Sequence, residues 1–126
     1  MNITLWVVAA LLALAFLGAG AMKLTKSKEQ LLASGPTMAW AEDFSPGMIR
    51  TIGFVEVLGG VGLLLPPAVD VATILVPLSA SGLALVMIGA VIEHGRRKEF
   101  QSTAVNLVLL ILAAFVAWGR FGPHSF

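Results

Sequence analysis

One carboxylate lies where a membrane-spanning helix normally carries only apolar residues. Glu56 is the only charged residue between Thr51 and Val69. An ionisable side chain inside an apolar span is energetically costly and is by default a candidate functional group. A carboxyl group at this depth could exchange a proton or bind the polar head of a ligand.

Other polar side chains are expected at the same end of the protein as Glu56, because they lie where the neighbouring apolar stretches begin or end. These residues are Lys23, Arg50, Glu93, His94 and Asn106. Arg50 and Glu56 are six positions apart, about 120° around a helix, so they cannot form an i,i+4 pair. We therefore expect Lys23 or His94 to be the partner of the acid.

Two interpretations of this polar intramembrane cluster remain open. In the first, Glu56 forms hydrogen bonds across helices and selects one packing register, which makes the cluster structural. In the second, the cluster lines a small cavity open to the cytoplasmic leaflet, where Glu56 and His94 handle protons or a polar ligand head.

Several kinds of site are excluded by composition. The chain has no cysteine, which rules out disulfides, thiolate nucleophiles and iron–sulfur clusters. Its two histidines, His94 and His124, fall on opposite sides of the predicted membrane, so we expect no haem or metal site. The net charge of +1 provides no strong field for nucleic acid.

The distribution of charges predicts an all-α, polytopic membrane protein with a four-helix bundle. Of the 126 residues 58% are apolar and only 12% are charged, and the mean hydropathy is +0.93. A helix needs about 20 apolar residues to cross the hydrocarbon layer. Four stretches meet this requirement within a single domain, at about 3–22, 48–65, 70–92 and 102–120.

Basic residues predict the orientation in the cell membrane. Seven of the eight Lys and Arg residues lie in or beside the connections 23–47 and 93–101, and only Arg120 lies on the other side. Under the positive-inside rule both connections are cytoplasmic and both termini are non-cytoplasmic. The long connection 23–47 is expected to lie at the membrane interface, with Trp40 as its anchor; the alternative is a lid over a cytoplasm-side cavity.

Small residues predict how the helices pack. Gly53, Glu56 and Gly60 fall within an arc of about 60°, so the acid shares a face that another helix can approach closely. Glu56 should therefore point into the bundle. Pro77 is expected to kink the third span and to free the carbonyl group of Thr73.

The order and spacing of three apolar motifs resemble the DoxX-like family of small four-helix membrane proteins. Residues 20–24 (GAMKL) end the first span, and residues 53–66 (GFVEVLGGVGLLLP) form the second. Residues 89–90 (Gly-Ala), followed by His94, end the third. The resemblance places Lys23, Glu56 and His94 at polar positions that recur in the family.

The resemblance implies a membrane subunit or accessory protein of a quinone-linked or oxidative-stress oxidoreductase system. Founding members of the family are associated with a thiosulfate:quinone oxidoreductase. The implied cofactor is a quinone, and the implied partner is a redox protein. Composition already predicts the lipid bilayer as a partner, and a bundle this small leaves association with further copies of the chain open. Whether the chain is itself an enzyme stays open. The alternatives are a non-catalytic assembly protein and a binder of a small lipophilic molecule.

Overall fold

Four long helices confirm the predicted four-helix membrane bundle. The computed structural model describes residues 1–125, apart from the side chains of residues 36 and 37, and this part of the chain contains no strand. Four helices of 22 to 24 residues are long and apolar enough to cross a membrane. The elements are α1 (Asn2–Thr25), α2 (Lys28–Ala33), a 3₁₀ helix (Pro36–Asp43), α3 (Pro46–Ala68), α4 (Leu75–Arg96) and α5 (Phe100–Phe121).

Serine caps define the helices that follow the first connection. The Ser27 hydroxyl accepts a hydrogen bond from the Gln30 amide at 3.1 Å, and the Gln30 side chain accepts one from the Ser27 amide at 2.8 Å. This capping box starts α2. The Ser45 hydroxyl likewise accepts from the Met48 amide, and Pro46 occupies the first position of α3.

Close approach between α3 and its neighbours sets the arrangement of the bundle. α1 packs against α3 and α5, and α4 packs against the same two helices. A Cβ atom on Gly20 would lie 2.6 Å from the Gly53 carbonyl oxygen, so α1 and α3 touch backbone to backbone. On another face of α3, a Cβ atom on Gly59 would lie 2.6 Å from Leu83 of α4. Small residues thus let α1 and α4 approach α3 closely. Inside a lipid bilayer the hydrophobic effect does not drive helices together, so they associate through such close contacts.

The centre of the bundle is apolar, and so is much of its outer surface. Leu12, Phe16, Leu63 and Leu83 are at most 1% exposed and belong to one continuous core. Many large apolar side chains point outwards, among them Leu85, which is 69% exposed. Such a surface suits hydrocarbon and is unlike that of a water-soluble domain.

The third predicted span begins too early and its expected kink is wrong. Residues 69–74 form a turn, in which Asp70 and Ala72 adopt positive φ angles of 54° and 51°, and α4 begins at Leu75. Pro77 is therefore the third residue of α4, where a missing N–H group breaks no intrahelical hydrogen bond. The Thr73 carbonyl is not free, because it accepts from the Val76 amide at 3.1 Å.

Candidate functional site

The buried acid is paired with a lysine from another helix. Glu56 is 2% exposed and is the eleventh residue of α3, about 15 Å along the helix from its start. The Lys23 ammonium, near the end of α1, donates to Glu56 Oε1 at 2.5 Å. Gly53 makes this pair geometrically accessible, because a Cβ atom at that position would lie 2.8 Å from Lys23 Cβ. Of the two partners expected from sequence, the structure selects Lys23.

An aromatic side chain covers the ion pair. The Lys23 ammonium lies 5.4 Å from the centre of the Trp40 ring, a cation–π arrangement. Trp40 also packs edge-on against Phe44 and His94, with ring centroids 5.7 and 6.4 Å apart. Only 8% of Trp40 is exposed. The expected headgroup anchor is therefore wrong for this residue, which instead closes over the interior, as the lid alternative required.

A polar network joins the 3₁₀ helix to the connection between α4 and α5. His94 Nδ1 lies 2.7 Å from Glu99 Oε1, and Arg97 lies 3.4 Å from the other Glu99 oxygen. Arg97 also donates to Asp43 at 3.0 Å. This hydrogen bond lowers the pKa of the Asp43 carboxyl below its usual value, and Asp43 in turn raises the pKa of Arg97. Charged groups on opposite sides thus hold the 3₁₀ helix against the bundle.

Lys23, Trp40, Glu56 and His94 line a cavity of about 590 Å³ that reaches all four spanning helices. This volume lies within the range of sites for small organic ligands. Most of the wall is apolar, with Phe16, Met22, Met38 and Leu109 among its residues. Its polar residues are Lys23, Glu56, Glu93, His94, Gln101, Ser102 and Asn106. The arrangement suits a lipophilic molecule with a polar head.

Two features of the cavity leave it open to a ligand. Asn106 is half-buried, and its amide forms no hydrogen bond with any residue in the described part of the chain. Leu85, Gly89 and Val105 line the cavity yet are exposed, so it opens beside α4 and α5. A Cβ atom on Gly89 would meet nothing within 4 Å.

Arg50 is not part of this site. It is exposed at the start of α3 and lines a separate, smaller pocket. The structure therefore brings Lys23, Glu56, His94 and Asn106 together and leaves Arg50 outside. The six-residue offset between Arg50 and Glu56 already pointed the two side chains in different directions.

Sequence reasoning missed two features of the polar structure. Glu99 reaches His94 because Lys98, with a φ of 58°, reverses the chain and lets the Glu99 amide donate to the His94 carbonyl at 2.9 Å. At the opposite end, Arg120 is 4% exposed and donates to Asn2 and to the backbone carbonyl of His124. The run of charges at 96–99 was the one local signal for Glu99; Arg120 had none beyond its position at the end of a span.

Comparison with known proteins gives a single result. Searches of curated proteins and of solved structures found no match. The family model of the DoxX-like family matches residues 7–116, which include all four spanning helices over most of their length and every residue of the polar cluster. The chain therefore belongs to the DoxX-like family, and it is a multi-pass membrane protein with a four-helix bundle.

Proposed function

We propose that this chain is a membrane subunit or accessory protein of a quinone-linked oxidoreductase system and that its cavity binds the quinone. The observation that carries the proposal is the division of the cavity into an apolar wall and a polar end. An isoprenoid tail suits the apolar wall. The two carbonyl oxygens of a quinone ring need hydrogen-bond donors, which the polar end offers.

Each polar residue has a distinct part in this proposal. The Asn106 amide is a free donor among the described residues. The Lys23 ammonium has donor capacity beyond its bond to Glu56, since it carries three protons. Because Glu99 binds Nδ1 of His94, the second ring nitrogen is the one left to exchange a proton with a ligand.

A bound quinone supplies two-electron, two-proton redox chemistry, and the protein must therefore pass protons as well as hold the ring. His94 lines the cavity, and its Nδ1 contacts Glu99 in the connection between α4 and α5. His94 is the group we assign to proton exchange, and Glu99 is its positioning residue. The electrons come from the redox partner that the proposal requires, since the described residues contain no redox-active side chain of the cysteine type.

The test is the binding of a short-chain benzoquinone to the purified protein, followed by quenching of tryptophan fluorescence. Trp40 lines the cavity, so an occupied cavity should quench it. Gly89→Leu places a side chain in the open space of the cavity, and we expect it to weaken binding more than tenfold. Gly82→Leu is the matched control, because Gly82 lies two turns earlier on the same helix face, is equally uncrowded and does not line the cavity.

The result is decisive in both directions. Saturable quenching that Gly89→Leu weakens and Gly82→Leu leaves within about twofold supports the site. Absence of saturable quenching in the unmodified protein, or equal effects of the two variants, refutes it.

A second candidate function is a non-catalytic assembly protein, and one observation favours it. Within the described residues, every buried side-chain nitrogen or oxygen has a hydrogen-bond partner. Glu56 Oε1 accepts a hydrogen bond from Lys23, as it would in a purely structural pair. Glu56→Gln separates the two functions: an assembly protein keeps its partners, whereas a quinone site loses affinity because the Lys23 donor is no longer held by the carboxylate.

A further inference from the structure

A second concave site lies at the same end of the bundle but outside the cavity. A pocket of about 200 Å³ is formed where α1 ends and where α2 and α3 begin. We call it the basic pocket. It is lined by Lys23, Lys26, Ser27, Lys28, Glu29, Pro46, Ile49 and Arg50.

The charges around the basic pocket are not balanced by the protein. Four of its eight lining residues are cationic and only Glu29 is acidic. Lys23 is committed to Glu56, and Lys28 donates only to the Glu42 carbonyl, at 3.4 Å. Among the described residues, Lys26 and Arg50 form neither an ion pair nor a side-chain hydrogen bond.

Such a grouping has a positive electrostatic potential, which favours an anion at the pocket. Like charges gathered around a concave surface of low dielectric interact more strongly than they do in open water. The neighbouring buried Ile49 gives the pocket an apolar floor, which lowers the local dielectric further. The pocket is therefore built to receive negative charge.

The position of the basic pocket points to a particular anion. It lies at the end of α1 and the start of α3, two helices long and apolar enough to cross a membrane, so we expect it at the level of the phospholipid phosphates. Basic pockets between spanning helices on the cytoplasmic side are suited to anionic headgroups. The basic connections of this chain are expected on that side.

We propose that the basic pocket is a binding site for a phosphate group, with the headgroup of an anionic phospholipid as its source. Lys26 and Arg50 are the residues that contact the phosphate. Lys28 adds to the positive electrostatic potential of the pocket. The two sites share Lys23 in their walls, but the two residues that contact the phosphate, Lys26 and Arg50, do not line the cavity, so the proposal does not rest on the quinone site.

The experiment measures lipid retained by the protein in native mass spectrometry. The probes are dioleoylphosphatidylglycerol and dioleoylphosphatidylcholine, which have the same acyl chains and differ in net charge. Lys26→Gln with Arg50→Gln removes two charges from the pocket. Arg96→Gln with Lys98→Gln removes two exposed charges from the same end but outside the pocket, which makes it the charge-matched control.

We expect the pocket variant to lose affinity for the anionic lipid about 25-fold, roughly fivefold for each cation near a phosphate. The control should lose less than twofold. The swap Lys26→Arg with Arg50→Lys keeps the charge and should keep most of the binding, which separates loss of the site from misfolding. Equal losses in the pocket variant and the control, or no preference for the anionic lipid in the unmodified protein, overturn the proposal.

A competition experiment with inorganic phosphate identifies the source of the phosphate group. Inorganic phosphate at millimolar concentration should not displace the lipid if the headgroup is the occupant, because the acyl chains add binding energy that the free ion lacks. Displacement in the unmodified protein, together with direct phosphate binding that the pocket variant loses, assigns the site to soluble phosphate instead.

Discussion

The substitution Lys23→Met tests whether the buried ion pair holds the bundle together. It removes the cation that lies 2.5 Å from Glu56, a carboxylate that is 2% exposed. Breaking a buried pair by removing one partner typically costs about 3–5 kcal/mol, because the remaining charge is left uncompensated. We expect a loss of that size in the free energy of unfolding.

Substitution of Glu56 should destabilise the protein less than substitution of Lys23. Glu56 lies about 15 Å along α3, whereas Lys23 is only two residues from the end of α1. After Glu56→Gln the lysine can extend towards the membrane surface, so this variant should cost about 1 kcal/mol. The double variant Lys23→Met with Glu56→Gln leaves no buried charge and should be more stable than Lys23→Met alone.

The assay is reversible unfolding in mixed micelles, followed by circular dichroism as the fraction of denaturing detergent is raised. Lys98→Met is the control, because Lys98 is exposed, lines neither pocket and forms no ion pair among the described residues; its effect should stay within about 0.5 kcal/mol. The double-mutant cycle should give a coupling energy of about 2–3 kcal/mol. If Lys23→Met costs no more than Lys98→Met and the cycle is additive, the pair does not stabilise the fold.

Two further predictions concern the contacts that frame the site. Gly53→Val should destabilise the protein by about 1–3 kcal/mol in the same assay, because its Cβ would lie 2.8 Å from Lys23 Cβ and the backbone of α1 blocks relief; Gly18→Val, in open space, should have no such effect. The contact between Asp43 and Arg97 should depend on pH. Since Arg97 lowers the pKa of Asp43, this contribution is fully present at neutral pH and is lost as the pH falls below about 4, and Asp43→Asn should remove that pH dependence of tryptophan fluorescence. A fluorescence transition unchanged by Asp43→Asn would contradict this assignment.

The spans and the inward direction of Glu56 could be predicted because both depend on short-range patterns. The length of a charge-free stretch is set by the bilayer, and Gly53 and Gly60 identify the contact face of α3 by their spacing alone. The exact start of α4 could not be predicted, because apolar residues continue through a turn in which Asp70 and Ala72 take positive φ angles. Composition does not distinguish such a turn from one more helical turn.

The contacts that close the site depend on residues distant in sequence, and no local pattern contains them. Trp40 is an aromatic residue in a polar connection, which is typical of an interfacial anchor. It is buried because Lys23 and His94, on two different helices, converge beneath it. Arg120 meets Asn2 across 118 positions, which only the closed arrangement of α1 and α5 brings together.

The structural and functional interpretations of Glu56 are compatible in this geometry. The acid is satisfied by Lys23, which explains how a carboxylate can lie deep in the bundle at tolerable cost, and the same pair forms part of the cavity wall. In the proposed function the pair supplies an ammonium donor at a fixed position in the cavity wall, while proton exchange belongs to His94, whose ring is oriented by Glu99 and which lines the cavity. The distribution of roles follows from which groups are already committed within the protein and which still have a free hydrogen-bonding position.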